Sequence, residues 1–91
     1  MIVNNYSTDN TVEVVENFRD PRIRLVNFTN NGVVAASRNE GIRHCTADWV
    51  AFLDSDDVWD PTKLEECMKL AIEGVDLVCS GERFAKNGKV F

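Results

Sequence analysis

The sequence predicts an α/β fold in which a mostly parallel sheet is flanked by helices. Two observations carry this prediction. Short apolar or alternating segments, typical of strands, are separated by segments of about ten to fifteen residues with helical periodicity. Most changes of pattern fall at Gly, Pro, Asn or Asp residues, which favour turns. Strands that alternate with helices favour parallel pairing, because each helix returns the chain to the same end of the sheet.

Two strands and two helices are predicted in the first half of the chain. In order, they are a strand at Ile2–Val3, a helix over 10–18, a strand over 22–28 and a helix over 33–45. The first helix places Val12, Val15 and Phe18 on one face, and the second strand alternates polar and apolar residues. His44 is expected to be a helix-end residue, without an acidic partner nearby in the sequence.

The second half of the chain repeats this alternation. It is predicted to contain a strand over 49–53, a helix over 61–73 and a strand over 75–80. The first of these is an unbroken apolar run, which is typical of a strand buried on both faces. Pro61 suits the first position of a helix, and Leu64, Met68 and Ile72 follow at four-residue spacing. Gly74 is expected to end that helix.

Composition limits the partners that the chain can bind. Its 91 residues are 44% hydrophobic and 27% charged, which describes one small globular domain at most. The formal net charge is -5. Nucleic acids and anionic membrane surfaces attract a basic face, so no nucleic-acid partner is expected. A bound phosphate would need a bridging cation.

The cysteines and the apolar segments bear on the cellular compartment. Cys45, Cys67 and Cys79 are odd in number and lack a CxxC pair, so neither a disulfide framework nor a zinc site is expected. No apolar run is long enough to span a membrane, and the first residues lack a signal-peptide pattern. These features predict a reducing, cytoplasmic setting, with membrane association left open for a full-length parent protein.

An acidic segment follows the apolar run at 49–53. Its aspartates are Asp54, Asp56, Asp57 and Asp60. In a parallel sheet, ligands bind at the carboxyl ends of the strands, where this segment and the polar residues 4–9 would both lie. Carboxylates spaced in this way can chelate Mg²⁺ or Mn²⁺ and leave positions for phosphate oxygens. We therefore predict metal ligands at Asp54, Asp56 and Asp57. The alternative is that these acids only solvate a loop and cap the next helix, which is the role expected of Asp60.

Several short motifs together resemble those of the family 2 glycosyltransferases of the GT-A fold. They are residues 4–11, 31–33, 36–42, 52–57 and 59–61. In that family a Rossmann-like sheet binds a nucleoside-diphosphate sugar, and a DxD motif holds the cation that bridges the diphosphate. The resemblance implies a partial nucleotide-sugar-binding domain of GT-A type over residues 1–91. It also implies transfer of the sugar to a saccharide or lipid acceptor.

The resemblance also implies roles for individual residues. Asp54 and Asp56 match the DxD motif, with Asp56 or Asp57 as the direct metal ligand and the other near the donor ribose. The cation would stabilise charge on the departing diphosphate. Asn39 matches a family asparagine beneath the donor site, and Arg38 either faces the phosphates or is solvated. The donor-binding residues expected by position are Asn5, Tyr6, Asp9, Arg38, Asn39, Asp54 and Asp56.

The chain departs from the family pattern in its first motif. Family members usually carry Asp-Asp-Gly-Ser where this chain has Asn4-Asn5-Tyr6-Ser7. The second acid of that motif commonly contacts the nucleotide base, and Asn5 can both donate and accept hydrogen bonds there. Tyr6 replaces the usual glycine, so it is expected either to stack on the base or to restrict the turn.

The family pattern also extends beyond this chain on both sides. Its opening strand and helix come before the position of Asn4, and its catalytic base and acceptor-binding residues lie beyond residue 91. We therefore expect a donor-binding fragment with no catalytic residue of its own and no turnover. Strand edges left unpaired by the missing strand predict a homodimer through strand addition, or else a rearranged sheet.

Two other functions are compatible with the sequence. The segment Asp54-Ser55-Asp56-Asp57-Val58 also fits the motif of haloacid-dehalogenase-like phosphatases, with Asp54 as nucleophile and Asp56 as general acid. The further residues that such an enzyme needs have no convincing match in the rest of the chain. The second alternative is a nucleotide-binding remnant without catalysis.

Overall fold

The structure, a computed structural model, describes residues 1–86 and 89–90. The chain divides into two compact units, Met1–Phe52 and Leu53–Phe91. The first unit contains a parallel pair of strands, and the second contains an antiparallel pair. One partial domain over residues 1–91 stays a prediction.

The first unit is a parallel strand pair with a helical crossover. Strand β1 (Ile2–Asn4) pairs in parallel with β2 (Leu25–Asn27), and helix α1 (Thr11–Asn17) lies between them in sequence. The register places Asn4 opposite Asn27, so both strands end on an asparagine at the same edge. The predicted strand at Ile2–Val3 and the predicted helix over 10–18 are confirmed. The strand predicted over 22–28 is confirmed in its last part only.

Helix α2 (Val34–Arg43) packs on β1. The turn before it contains Asn31 and Gly32 with φ values of 53° and 78°, which is the left-handed region that asparagine and glycine tolerate best. This turn brings the chain from the end of β2 into the helix. The helix predicted over 33–45 is therefore confirmed, with both ends slightly shorter.

The second unit has helix α3 (Lys63–Leu70) and a short hairpin. Strands β3 (Ala85–Lys86) and β4 (Lys89–Val90) pair antiparallel, and the sequence patterns did not predict them. The helix predicted over 61–73 is shorter at both ends. It ends at Leu70, because the backbone at Ala71 leaves helical geometry with φ −80° and ψ 62°. Gly74 has φ 82° but lies beyond this end, so the prediction that it terminates the helix is wrong.

The strands predicted over 49–53 and 75–80 do not form. Val50, Phe52 and Leu53 are 38%, 52% and 51% exposed, whereas the prediction required burial on both faces. A strand is stable only when a neighbour accepts and donates its backbone hydrogen bonds. No strand in the described part of the chain pairs with these residues. The prediction of a strand buried on both faces at 49–53 is therefore wrong, because composition alone does not specify a partner strand.

The α/β class and the Rossmann-like, parallel pairing are confirmed by the order β1–α1–β2–α2. Among the residues that the structure describes, no apolar side chain is buried. The buried residue in this part of the chain is Asn4, which is 5% exposed. Phe18, which was predicted to share one helix face with Val12 and Val15, is the C-cap of α1 and is 69% exposed. The most buried side chain of the described residues therefore lies at the carboxyl end of β1.

Within residues 1–86 and 89–90, every helix is too short or too polar to cross a membrane. Cys45, Cys67 and Cys79 are free thiols.

Candidate functional site

Asn4 lies at the centre of a hydrogen-bonded cluster where β1 and β2 end. Its Nδ2 donates to Asn27 Oδ1 at 2.8 Å, which links the side chains of the two strand ends. Its Oδ1 accepts from the backbone N–H of Ser7 at 3.0 Å and from the Ser7 hydroxyl at 2.6 Å. The backbone carbonyl of Asn4 accepts from the N–H of Phe28 at 2.9 Å. Asn4 thus joins both strands to the loop that follows β1.

That loop holds Tyr6 in a disfavoured backbone conformation. Tyr6 has φ 49°, in the left-handed region that glycine adopts easily and other residues rarely do. The two bonds from Ser7 to Asn4 close the turn around Tyr6. The Tyr6 side chain is 61% exposed. The loop therefore tolerates a tyrosine where family members usually have glycine, and the Tyr6 side chain is accessible to a ligand.

Asn5 and Asn30 connect this loop to the turn before α2. The Oδ1 atom of Asn5 accepts from the backbone N–H of Asn30 at 3.1 Å. Asn30 in turn donates from Nδ2 to Ser37 Oγ in α2 at 2.9 Å, and its Oδ1 accepts from the N–H of Gly32 at 2.9 Å. Together with Asn4 and Asn27, these residues form a cluster that we call the amide network (Asn4, Asn5, Asn27 and Asn30). It fixes the first unit's loops at the carboxyl edge of its sheet.

Asp9 lies at the other end of the loop, before α1. Its carboxylate accepts from the backbone N–H of Thr11 at 3.0 Å and from the Thr11 hydroxyl. These hydrogen bonds stabilise the ionised form and lower the pKa of Asp9 below its usual value. This is a local turn that leads into the helix. The predicted donor-binding role of Asp9 stays a prediction.

Helix α2 carries two further predicted donor-binding residues, Arg38 and Asn39. Both are exposed. Glu40, the residue after Asn39, accepts from Arg43 Nη1 at 2.6 Å, and its carboxylate lies 3.0 Å from His44 Nε2. The expectation that His44 has no acidic partner is therefore wrong, since Glu40 is four residues earlier on the same helical face. Its placement at the helix end is confirmed, because His44 is the C-cap of α2.

In the second unit, the acidic segment forms an exposed turn. The backbone N–H of Asp57 donates to the carbonyl of Asp54 at 3.1 Å, and Asp54, Asp56 and Asp57 are all exposed. Their carboxylate oxygens are the hard ligands that Mg²⁺ and Mn²⁺ prefer, so the donor chemistry fits the predicted cation. Within the residues that the structure describes, no three His, Cys, Asp or Glu side chains gather into a group that could hold a metal ion. The three carboxylates are thus adjacent along one turn without converging on one point.

Asp60 has a different role from the other acids of this segment. Its carboxylate accepts from the backbone N–H of Thr62 at 3.0 Å and from the Thr62 hydroxyl at 2.8 Å. These bonds lower the pKa of Asp60 below its usual value. They organise the turn that precedes α3. The prediction that Asp60 caps this helix is wrong, because the N-cap is Thr62 and no side-chain hydrogen bond caps the helix start. Beside it, Lys63 Nζ lies 5.0 Å from the ring centre of Trp59, within the range of a cation–π contact.

Comparison with known sequences identifies the family. The profile described as "Glycosyl transferase family 2" matches residues 1–91. The chain belongs to this family. The resemblance stated above is thereby confirmed, and glycosyl transfer is favoured over the phosphatase chemistry that the acidic segment also fitted. Family 2 transferases are commonly dependent on a divalent metal.

Several curated glycosyltransferases are similar to this family 2 chain. Uncharacterized glycosyltransferase YibD of Escherichia coli K12 is 41% identical over 75 residues, which cover 80% of this chain and 22% of YibD. The hyaluronan synthase of Pasteurella multocida is 35% identical over 80 residues, which cover 86% of this chain and 8% of the synthase. WfgD of Escherichia coli, a UDP-Glc:α-D-GlcNAc-diphosphoundecaprenol β-1,3-glucosyltransferase, is 37% identical over 65 residues, covering 71% of this chain and 26% of WfgD. No solved structure gives a significant match to the chain.

The chain spans less than a third of the length of these family 2 relatives.

Three residues of the amide network were not predicted from the sequence as candidate site residues, namely Asn4, Asn27 and Asn30. A signal was available for two of them, because each lies where a polar cluster follows a predicted strand. Asn27 gave no signal, since its contact with Asn4 depends on strand register.

The first unit also contains a cavity of about 310 Å³, away from the amide network. It is lined by Val15, Glu16, Arg19, Asp20, Ile23 and Leu25. This cavity is at the amino end of β2, whereas ligands of parallel α/β sheets bind at the carboxyl ends. The loop after β1, at the carboxyl end of the sheet, is therefore the stronger candidate for the donor site in this unit.

Proposed function

We propose that this chain is the donor-binding part of a glycosyltransferase that transfers sugar from a nucleoside-diphosphate sugar to a saccharide or lipid acceptor. The observation that carries the proposal is the family match over residues 1–91, which includes the Asp54-Ser55-Asp56 motif. The exposed turn that contains these acids supports it, because exposed carboxylates are accessible to a cation and a diphosphate.

The acidic turn is the proposed cation site, with Mg²⁺ or Mn²⁺ as the ion. Asp56 or Asp57 binds the cation directly, and Asp54 supports the site as the first acid of the motif. A bound cation would stabilise negative charge on the departing diphosphate. The carboxylates bind and orient the ion, and their exposure leaves its other coordination positions to water and phosphate oxygens.

The nucleoside is proposed to bind at the loop after β1. Asn5 and Tyr6 lie on this loop at the carboxyl edge of the sheet, which is where nucleotides bind in Rossmann-like folds. The side-chain oxygen Oδ1 of Asn5 already accepts a hydrogen bond from the backbone N–H of Asn30. The side-chain NH2 group of Asn5 is therefore the part proposed to contact the base. The exposed Tyr6 ring is available to stack on the base. Arg38 is proposed to face the phosphates, with Asp9 and Asn39 as supporting residues.

The remaining parts of the reaction are proposed to lie outside this chain. We assign no catalytic base here, because the matched relatives extend far beyond the aligned segment. We therefore expect binding without turnover from residues 1–91 alone. A reducing, cytoplasmic setting is proposed on the basis of the free thiols, with a lipid acceptor bringing the parent protein to a membrane.

Calorimetry with UDP and Mn²⁺ tests this function. UDP is the first nucleotide to use, because the relative WfgD is named for UDP-Glc. Mn²⁺ alone should bind weakly, and UDP should strengthen binding by adding phosphate oxygens. Asp56→Asn should weaken Mn²⁺–UDP binding by roughly ten- to hundredfold, as expected for the loss of about 1.5–3 kcal/mol from one charged contact. Asp48→Asn, an exposed acid outside the turn, is the matched control.

The results separate this function from its alternatives. Equal affinity of the original protein and Asp56→Asn for Mn²⁺–UDP would exclude the metal site. Binding by the intact parent protein without release of UDP from any sugar nucleotide would favour a non-catalytic remnant. Release of UDP by residues 1–91 alone, dependent on Asp56, would show that the chain carries more of the catalytic site than we propose.

A further inference from the structure

The orientation of the Asn4 amide is set by Ser7. A backbone N–H can only donate, so the Asn4 atom that Ser7 N–H approaches at 3.0 Å must be the carbonyl oxygen. The Asn4 amide nitrogen therefore faces Asn27 and donates to its Oδ1 at 2.8 Å. Asn4 is 5% exposed, so water cannot easily replace either partner. The pair has a single hydrogen-bonding arrangement.

We propose that Asn4 and Asn27 are positioning residues that hold the loop after β1 in its ligand-binding conformation. The consequence for the donor rests on the function proposed above, because the loop carries Asn5 and Tyr6. Neither Asn4 nor Asn27 needs to touch the nucleotide in this role. They act by holding the turn from Asn4 to Ser7, which keeps Tyr6 in the left-handed region at φ 49°.

The hydrogen bond between Asn4 and Asn27 requires a donor, so at least one of the two side chains must carry an N–H or O–H group. In Asn27→Asp, the carboxylate still accepts from Asn4 Nδ2. In Asn4→Asp, both Ser7 bonds are kept, and the exposed Asn27 amide can rotate to donate its own Nδ2. Either single substitution should therefore preserve the contact. When both residues are Asp, two carboxylates face each other, and they can share a hydrogen bond only after one binds a proton.

The test compares the intact protein with Asn4→Asp, Asn27→Asp and the double variant at about pH 8 and about pH 5, chosen to span the titration of such a pair. Mn²⁺–UDP affinity is expressed relative to the original protein at each pH, which removes the effect of pH on the ligand. Each single variant should stay within about threefold at both values. The double variant should bind roughly tenfold or more weakly at pH 8 and recover at pH 5, since one unit of pKa shift corresponds to a factor of ten.

Backbone amide NMR signals of Tyr6 and Ser7 provide a readout that needs no ligand. In the double variant they should move at pH 8 and return at pH 5, while those of Ala36 in α2 stay in place. Asn27→Ala removes the acceptor without adding charge, so it should move the same signals at both pH values. If Mn²⁺–UDP does not bind the original protein, the proposed function fails, and these signals still decide the role of the pair.

Three results would overturn the proposal. In the first, the Tyr6 and Ser7 signals of the double variant match those of the original protein at both pH values. In the second, these signals are displaced by the same amount at both pH values, which would indicate a structural defect unrelated to the shared proton. Unchanged Tyr6 and Ser7 signals in Asn27→Ala would show that the loop does not depend on the pair.

Discussion

Gly41 of α2 lies so close to Val3 of β1 that a Cβ added to Gly41 would be 3.3 Å from Val3 Cγ2. This spacing is tighter than most contacts made by real Cβ atoms. Val3 cannot move away easily, because β-branched side chains have few χ1 rotamers and β1 is paired with β2. The missing side chain at position 41 thus sets how closely α2 approaches the sheet. The same helix receives the hydrogen bond from Asn30 to Ser37.

Gly41→Val should therefore destabilise the fold. We expect a loss of about 1–3 kcal/mol in the free energy of unfolding, as for other overpacked contacts. Gly41→Ala has opposing effects, because a gain of up to about 1 kcal/mol in helix propensity is set against the close contact. In a Val3→Ala background the contact is gone, so Gly41→Ala should then raise the free energy of unfolding. Urea denaturation measures all four variants, and an unchanged stability of Gly41→Val would show that α2 moves freely away from β1.

Tyr6→Gly should change stability and ligand affinity in opposite directions. Relief of the left-handed conformation should stabilise by about 1–2 kcal/mol, and the extra freedom of glycine in the unfolded chain should offset about 0.5–1 kcal/mol of this. Loss of the ring should weaken UDP binding by roughly fivefold or more, since base–aromatic stacking is worth about 1–3 kcal/mol. Tyr6→Phe keeps the ring and is the control. Undiminished UDP affinity in Tyr6→Gly would assign Tyr6 to the turn alone.

Glu40 gives a prediction for the dependence of stability on pH. Arg43, and then His44, hydrogen bond to its carboxylate and lower its pKa from the usual 4.5. A lowered pKa in the folded state means that the contribution is present above about pH 4.5 and is lost as the pH falls through the folded-state value. Glu40→Gln should therefore lower Tm slightly at neutral pH and leave it unchanged well below pH 4. Glu13→Gln, an exposed acid of α1, is the control for a general charge effect. An equal effect of Glu40→Gln at both pH values would contradict the ion-pair explanation.

Residues 1–91 on their own are expected to self-associate. Each strand of the β1–β2 pair has one neighbour in the described part of the chain, so each leaves an open edge. Open edges beside exposed apolar side chains recruit further strands. Light scattering over a dilution series should show a dimer that dissociates at low concentration. Ile2→Lys should shift the equilibrium towards the monomer, whereas Val58→Lys, at a residue that is 93% exposed and outside the sheets, should not. A folded monomer at every concentration would exclude strand addition.

The elements that sequence predicted correctly depend on local patterns. The helices at 10–18 and 33–45 follow from periodicity within one segment. The contact between Glu40 and His44 was equally local, at four-residue spacing in a predicted helix. Its spacing along the helix made it predictable from the sequence.

The parts that sequence could not supply depend on partners distant in the chain. The run at 49–53 has the composition of a buried strand, but strand formation requires a neighbour that composition does not specify. The contact between Asn4 and Asn27 joins residues 23 positions apart, and it exists only because the parallel register places them opposite each other. The predicted site residues of the acidic turn were located, whereas their role in metal binding stays a prediction.

The amide network has a consequence for how the protein responds to ionic strength. Its four members are neutral, so mobile ions in solution do not screen the hydrogen bonds among them. The exposed acidic turn differs, because its attraction to a cation is reduced by added salt over a Debye length of about 10 Å at 0.1 M. Raising the salt concentration should therefore weaken capture of the metal diphosphate while the conformation of the loop after β1 is retained. A nucleoside without phosphates should bind with nearly the same affinity in dilute and concentrated salt.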